Sequence, residues 1–146
     1  MNKKPPLNLG IQAGVLKSYF PESQITISGS VLTCIYNLVP TPLSATYRVK
    51  LVYQWSTSPN VFVIKPKLTL AKGKQKLPHV YNTPMQHLCL YYRKAREWDT
   101  HMLLAKTIVP WTSEWLQFYE LWLPNGVWQG GGIEHETAAE IQTNNI

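Results

Sequence analysis

The sequence predicts an α+β fold, on three observations. An apolar segment closed by a proline lies near the start, three consecutive stretches alternate with period two, and an aromatic stripe recurs at helical spacing toward the end. At 146 residues the chain can bury one sizeable core, so a single domain over residues 1–146 is expected. Within it, residues 1–6 read as a flexible basic arm and residues 133–146 as a weakly ordered acidic tail. An apolar content of 45% argues against disorder as a whole.

The first helix is expected from about Leu7 to Phe20, on Leu7, Leu9, Ile11, Val15, Leu16 and Phe20, with Pro21 as its stop. The first strand signal sets Ile25, Ile27, Val31 and Ile35 against Thr26, Ser28, Ser30 and Cys34, with Gly29 as an interruption. In this reading Cys34 is a packing residue. In the second, Tyr47, Val49, Leu51, Tyr53 and Trp55 face one way and Arg48, Lys50 and Gln54 the other. In the third, Phe62, Ile64, Leu68 and Leu70 oppose Lys65, Lys67 and Thr69, with Pro66 at an edge or bulge. Short polar turns between them predict an antiparallel meander. Residues 101–109 are expected to form a helical turn ended by Pro110. Thr112 is then expected to cap a helix to about Leu123, with Glu114 complementing its N-terminal dipole and Pro124-Asn125-Gly126 ending it. Along that helix Trp115, Phe118, Tyr119 and Trp122 read as core.

The charge is unevenly distributed. Residues 1–96 carry 13 Lys/Arg against Glu22 alone, and residues 97–146 carry Lys106 against seven acids, so +12 and −6 make the net +6. Such polarity favours an acidic partner on the basic face, protein or nucleic acid, or else it is an ordinary solvated surface. The densest patch, Lys65, Lys67 and the loop 71–76, holds no aromatic residue on which bases would stack, so a protein partner is favoured and nucleic acid is not expected. No run reaches the roughly 18 to 20 apolar residues of a membrane span, and MNKKPPLNLG carries no apolar signal region. The protein is therefore expected in the cytoplasm, without membrane contact and with Cys34 and Cys89 as free thiols.

The chemistry centres on Leu77 to Trp98, LPHVYNTPMQHLCLYYRKAREW, where a Pro-His turn stands ten residues before Cys89. A cysteine in an apolar run is often simply buried. As a nucleophile it must become a thiolate, from an ordinary pKa of about 8.5, which needs a nearby cation or donor. His79, His87, Arg93, Lys94 and Arg96 are close enough in sequence to supply one. The cysteines and histidines lack the paired spacing of zinc motifs, and there is no nucleotide-binding loop and no Gly-x-Ser-x-Gly elbow, so no metal and no cofactor is expected. A thiol hydrolase using Cys89 with His79 or His87 is a weaker fit, since many such enzymes place the histidine far downstream.

The run PHVY, a short loop and LCL resembles the active-site segment of ubiquitin-conjugating enzymes. There His-Pro-Asn, a branched residue and a tyrosine precede the thioester-forming cysteine and its leucine. With GIQAGVLKSYFP and TIVPWTSEWLQFYELWLPNGVWQGGG, the chain is similar to the ubiquitin-conjugating-like proteins of bacterial CBASS antiphage operons over most of residues 8–132. The resemblance implies the ubiquitin-conjugating fold: an N-terminal helix, a four-stranded antiparallel meander, an active-site loop and a following helix. It also implies a transferase acting in antiviral defense, with Cys89 as the catalytic cysteine of a thioester. The acyl group would come from the C-terminal tail of a partner, the operon's cGAS-like nucleotidyltransferase, and pass to an amine. Any activation by ATP would fall to a separate activating enzyme, or the acyl group would arrive by some other route.

Leu77-Pro78-His79 stands where that family has His-Pro-Asn. His79 therefore either donates to the oxyanion as the asparagine does or braces the loop through a backbone hydrogen bond. His87 has a possible supporting role on the face of Cys89, and Glu97 and Asp99 either steer the amine or are ordinary surface charges. Two further readings stand beside the transferase: a catalytically idle adaptor of the same fold, and a basic nucleic-acid-binding module.

Overall fold

The computed structural model describes residues 4–131, and in them the α+β architecture is realised as two α-helices and one six-stranded antiparallel sheet. Helix α1 runs Leu9–Tyr19. Asn8 caps it, its side chain accepting from Ile11 N–H at 2.8 Å. Strands β1 (Gln24–Ser28), β2 (Val31–Leu38), β3 (Tyr47–Gln54) and β4 (Asn60–Lys65) form the expected meander. Two short strands then extend it, β5 (Val80–Asn82) and β6 (His87–Leu88), giving the order β1-β2-β3-β4-β6-β5. The sheet thus has six strands where the resemblance implied four. The last two escape sequence reading because three and two residues show no period.

The single strand expected across Gly29 is a hairpin. Ser28 pairs with Val31, and Gly29 takes φ 59°, the positive value a two-residue turn demands. That turn resets the alternation, so Leu32, Cys34 and Tyr36 enter the core and Ile27 is left exposed. Cys34 is the packing residue expected of it. Strand β3 keeps the expected phase, with Tyr47, Val49, Leu51 and Tyr53 buried. Strand β4 reverses it: Val61 and Val63 face the core, while Phe62 lies outward and stacks on His87, ring centroids 4.5 Å apart. At its end the pairs Val49↔Val63 and Arg48↔Lys65 leave Ile64 as the extra residue of a β-bulge.

Helix α1 lies on β1 and β2 and buries Leu16 and Gln12. Gln12 ties it to the turn at Leu104–Lys106, donating to the Met102 carbonyl and accepting from Leu104 N–H, both at 2.9 Å. Before it, Leu7 N–H donates to the Thr100 carbonyl at 3.0 Å. Helix α2 runs Ile108–Trp122, one turn earlier than the sequence suggested. Pro110 sits inside its first turn, where no backbone N–H is needed, and so does not end the preceding segment. Thr112 is not the cap. It is fully buried within the helix and its hydroxyl donates to the Ile108 carbonyl at 2.7 Å. Glu120 anchors α2 to β3, accepting from Tyr47 Oη at 2.8 Å and Ser44 Oγ at 2.7 Å. No helix among the described residues is long and apolar enough to cross a membrane. The proposed tail at 133–146 lies outside the described residues.

Candidate active site

Cys89 directly follows β6, at the foot of the β5–β6 hairpin. The hairpin is held from within by Gln86. Its side chain accepts from Leu68 N–H at 2.5 Å and donates to the Val63 and Pro66 carbonyls at 2.8 and 3.2 Å. Opposite Cys89 stands His79 with φ 45°, a left-handed conformation that costs a side-chain-bearing residue roughly 1–2 kcal/mol. The strain is offset by what the bend presents: the His79 carbonyl accepts from Cys89 N–H and from Trp115 Nε1–H, each at 3.0 Å. One backbone oxygen thereby fixes the cysteine against both the loop and α2.

Cys89 borders a cleft of about 380 Å³. Trp111, Trp115 and Phe118 of α2 wall one side and Trp128 closes another, its ring 4.9 Å from that of His79. Glu97 and Glu114 supply the carboxylates, and His79 also borders the space. Cys89 is 8% exposed, largely buried at the edge of the cleft. Its Sγ lies 3.5 Å from the Tyr91 carbonyl. Burial pushes the thiol above its ordinary range, and Glu97 adds to this. Hydrogen bonds from Tyr81 and the Tyr91 backbone, with the Arg93 charge, act the other way.

Of the residues expected from sequence, the fold brings Cys89, His79 and Glu97 to one cleft. His87 instead packs between Phe62 and Tyr81, its Nε2 3.0 Å from Asn60 Oδ1, and desolvation together with Arg93 lowers its pKa. Asp99 does not border the cleft. It accepts from His101 N–H at 2.8 Å and lies 3.7 Å from the His101 ring. Of the nearby cations, Arg93 is the one whose charge acts on the thiol. Glu114 was missed, although the signal was present: Trp111, Glu114, Trp115 and Phe118 recur at i, i+3, i+4 and i+7, one helical face. Among the described residues no cluster of three metal-ligating side chains occurs.

No curated protein matches the sequence. A family model described as "Type II CBASS E2 protein" matches residues 12–136, most of the chain and all the elements just described except the start of α1. The chain belongs to the type II CBASS E2 proteins.

Proposed function

We propose that this protein is a ubiquitin-conjugating-like cysteine acyltransferase of the cytoplasm, a single domain that takes the C-terminus of its operon's cGAS-like nucleotidyltransferase as a thioester on Cys89 and passes it to an amine. The observation that carries this reading is the placement of Cys89, pinned by its own N–H to the His79 carbonyl at the border of an open cleft lined by aromatic rings and two carboxylates. The thiolate attacks the activated carbonyl carbon of the tail, the former activating group departs with the bonding pair, and the thioester remains. An amine, its ammonium proton lost to water, then attacks the same carbon, a second proton leaves the nitrogen to water, and the C–S pair returns to sulfur.

In each step negative charge develops on the carbonyl oxygen, and a donor placed there is worth several kcal/mol. The His79 ring at the cleft is the candidate donor, and Glu97 and Glu114 draw in and orient the cationic amine. A separate enzyme supplies the activated acyl group. Regulation of second-messenger synthesis on infection follows from modification of the synthase.

The burial of the thiol favours one other reading, the idle adaptor that binds the synthase and does no chemistry. Cys89→Ala separates the two in cells carrying the whole operon. Transfer predicts that second-messenger output on infection is lost while the complex with the synthase still co-purifies. Unchanged output from the alanine variant would leave the adaptor standing and remove the transferase.

A further inference from the structure

The register of the β5–β6 hairpin singles out Tyr81. Val80 pairs with Leu88 and Asn82 with His87, so Tyr81 is the extra residue of a β-bulge, the local device by which a strand re-aims one side chain. The bulge turns Tyr81 to Cys89, and its hydroxyl hydrogen-bonds to the sulfur. The ring is held from both sides: His87 packs on it at 4.8 Å between centroids, and the Arg93 guanidinium lies over it, 4.7 Å from the centroid. Arg93 is itself clamped, donating to Asn60 Oδ1 at 2.8 Å and to the Pro59 carbonyl at 3.2 Å, and the same Asn60 oxygen lies 3.0 Å from His87 Nε2. A phenol on a bulge, braced by an imidazole, a guanidinium and a shared amide, is far more construction than packing a surface tyrosine needs.

We propose that Tyr81 is a catalytic residue of this site, the donor that stabilises the Cys89 thiolate before acylation and receives it as leaving group afterwards, with Arg93 as the positioning residue acting through the Tyr81 ring. The proposal rests on the transferase reading for its purpose, but its test does not. In the second half-reaction the amine nitrogen forms the new C–N bond and loses its proton to water. The C–S bond breaks with both electrons going to sulfur, and the Tyr81 O–H hydrogen-bonds to the sulfur anion without giving up its proton. Burial and the neighbouring cysteine push the tyrosine well above its ordinary range, which keeps that proton in place at neutral pH. The titratable and charged groups around the sulfur are Tyr81 on β5, His79 before it, Tyr91, Arg93 and Glu97 after it, and Glu114 across the cleft. Of these, Tyr81 and Arg93 favour the thiolate by hydrogen bond and by charge, and Glu97 opposes it.

The test is the pH profile of Cys89 alkylation by iodoacetamide in the purified chain, read by peptide mass so that Cys34 is scored apart. Tyr81→Phe keeps the ring, the His87 contact and the guanidinium stack and removes only the donor. It is expected to move the Cys89 midpoint up by about one pH unit, a roughly tenfold smaller thiolate fraction at neutral pH. Arg93→Gln is expected to raise the midpoint in the wild-type background and to do so by less when Tyr81 is already Phe, whereas Arg93→Lys restores part of the shift. A Tyr81→Phe profile superimposable on wild type, with an unchanged circular dichroism spectrum, overturns the role of the hydroxyl. Equal Arg93→Gln shifts in both backgrounds overturn the coupling through the ring. Because no partner is present, either failure leaves the transferase reading untouched. Absence of any adduct from wild type in cells, alongside a shifted Tyr81→Phe profile, would count against that reading alone.

Discussion

His79 gives its backbone to the fold and its ring to the cleft. The left-handed φ of 45° turns its carbonyl to Cys89 and Trp115, and asparagine tolerates the same conformation whereas alanine does so poorly. If the ring also donates to the oxyanion, His79→Asn keeps both functions and His79→Ala loses both. Adduct formation is expected to stay within about tenfold of wild type for the asparagine and to fall about a hundredfold for the alanine. A stopped-flow or quenched time course measures this, and an alanine variant at the wild-type rate would reduce His79 to a backbone brace.

Cys34 gives a prediction of a different kind. Burial lifts its thiol from 9.0 to about 11, so between those values the folded chain holds a proton that the unfolded chain has lost. Its contribution to stability is therefore complete below pH 9 and disappears as pH rises through 11. Thermal melts should fall across this window, and Cys34→Ala should flatten the fall. Equal slopes in both proteins would contradict the assignment. Tyr36 and Tyr47, whose hydroxyls burial also lifts, add to the decline with the same sign at higher pH.

At the scale of elements, the two-point tie made by Gln12 joins α1 to the Leu104–Lys106 turn that leads into α2. Gln12→Leu keeps the burial but leaves the Met102 carbonyl and the Leu104 N–H unpaired. It is expected to destabilise the chain by about 3 kcal/mol in urea denaturation, and a change under about 0.5 kcal/mol would show that the tie is dispensable.

Sequence patterning located both helices and three meander segments, the first of which folds as the β1–β2 hairpin, because long amphipathic runs carry a period. It misplaced the phase of β2 and β4, since both faces of those strands are apolar: Ile35 and Cys34, or Phe62 and Val63, compete for the inside. The hairpin turn at Gly29 and the stacking of Phe62 on His87 decide the matter, and both depend on a partner strand. Pro110 misled for a similar reason. A proline reads as a stop, yet in the first turn of α2 it is compatible with the helix.

For the whole molecule, the basic part of the sequence supplies all six strands of the sheet and the 71–76 loop, whereas the cleft takes its carboxylates from the acidic part, Glu97 and Glu114. The candidate nucleophile and its opposing histidine could be read from PHVY and LCL through the family they resemble. The cleft could not, because Trp111, Glu114, Phe118 and Trp128 reach it only once α2 and the segment after it fold back on the hairpin. Tyr81 was visible as part of that motif, but its aim is set by a register shift that no local pattern records.

Whether Cys89 carries an acyl group from a protein C-terminus is decided by intact mass spectrometry. The protein is purified with its candidate nucleotidyltransferase from cells carrying the whole operon, as wild type, Cys89→Ser and Cys89→Ala. A thioester on Cys89 predicts an adduct of the two chains that thiol reductant releases from wild type, that resists reductant in the serine variant, and that is absent from the alanine variant. No adduct in any of the three, with a tight noncovalent complex surviving in Cys89→Ala, would contradict it.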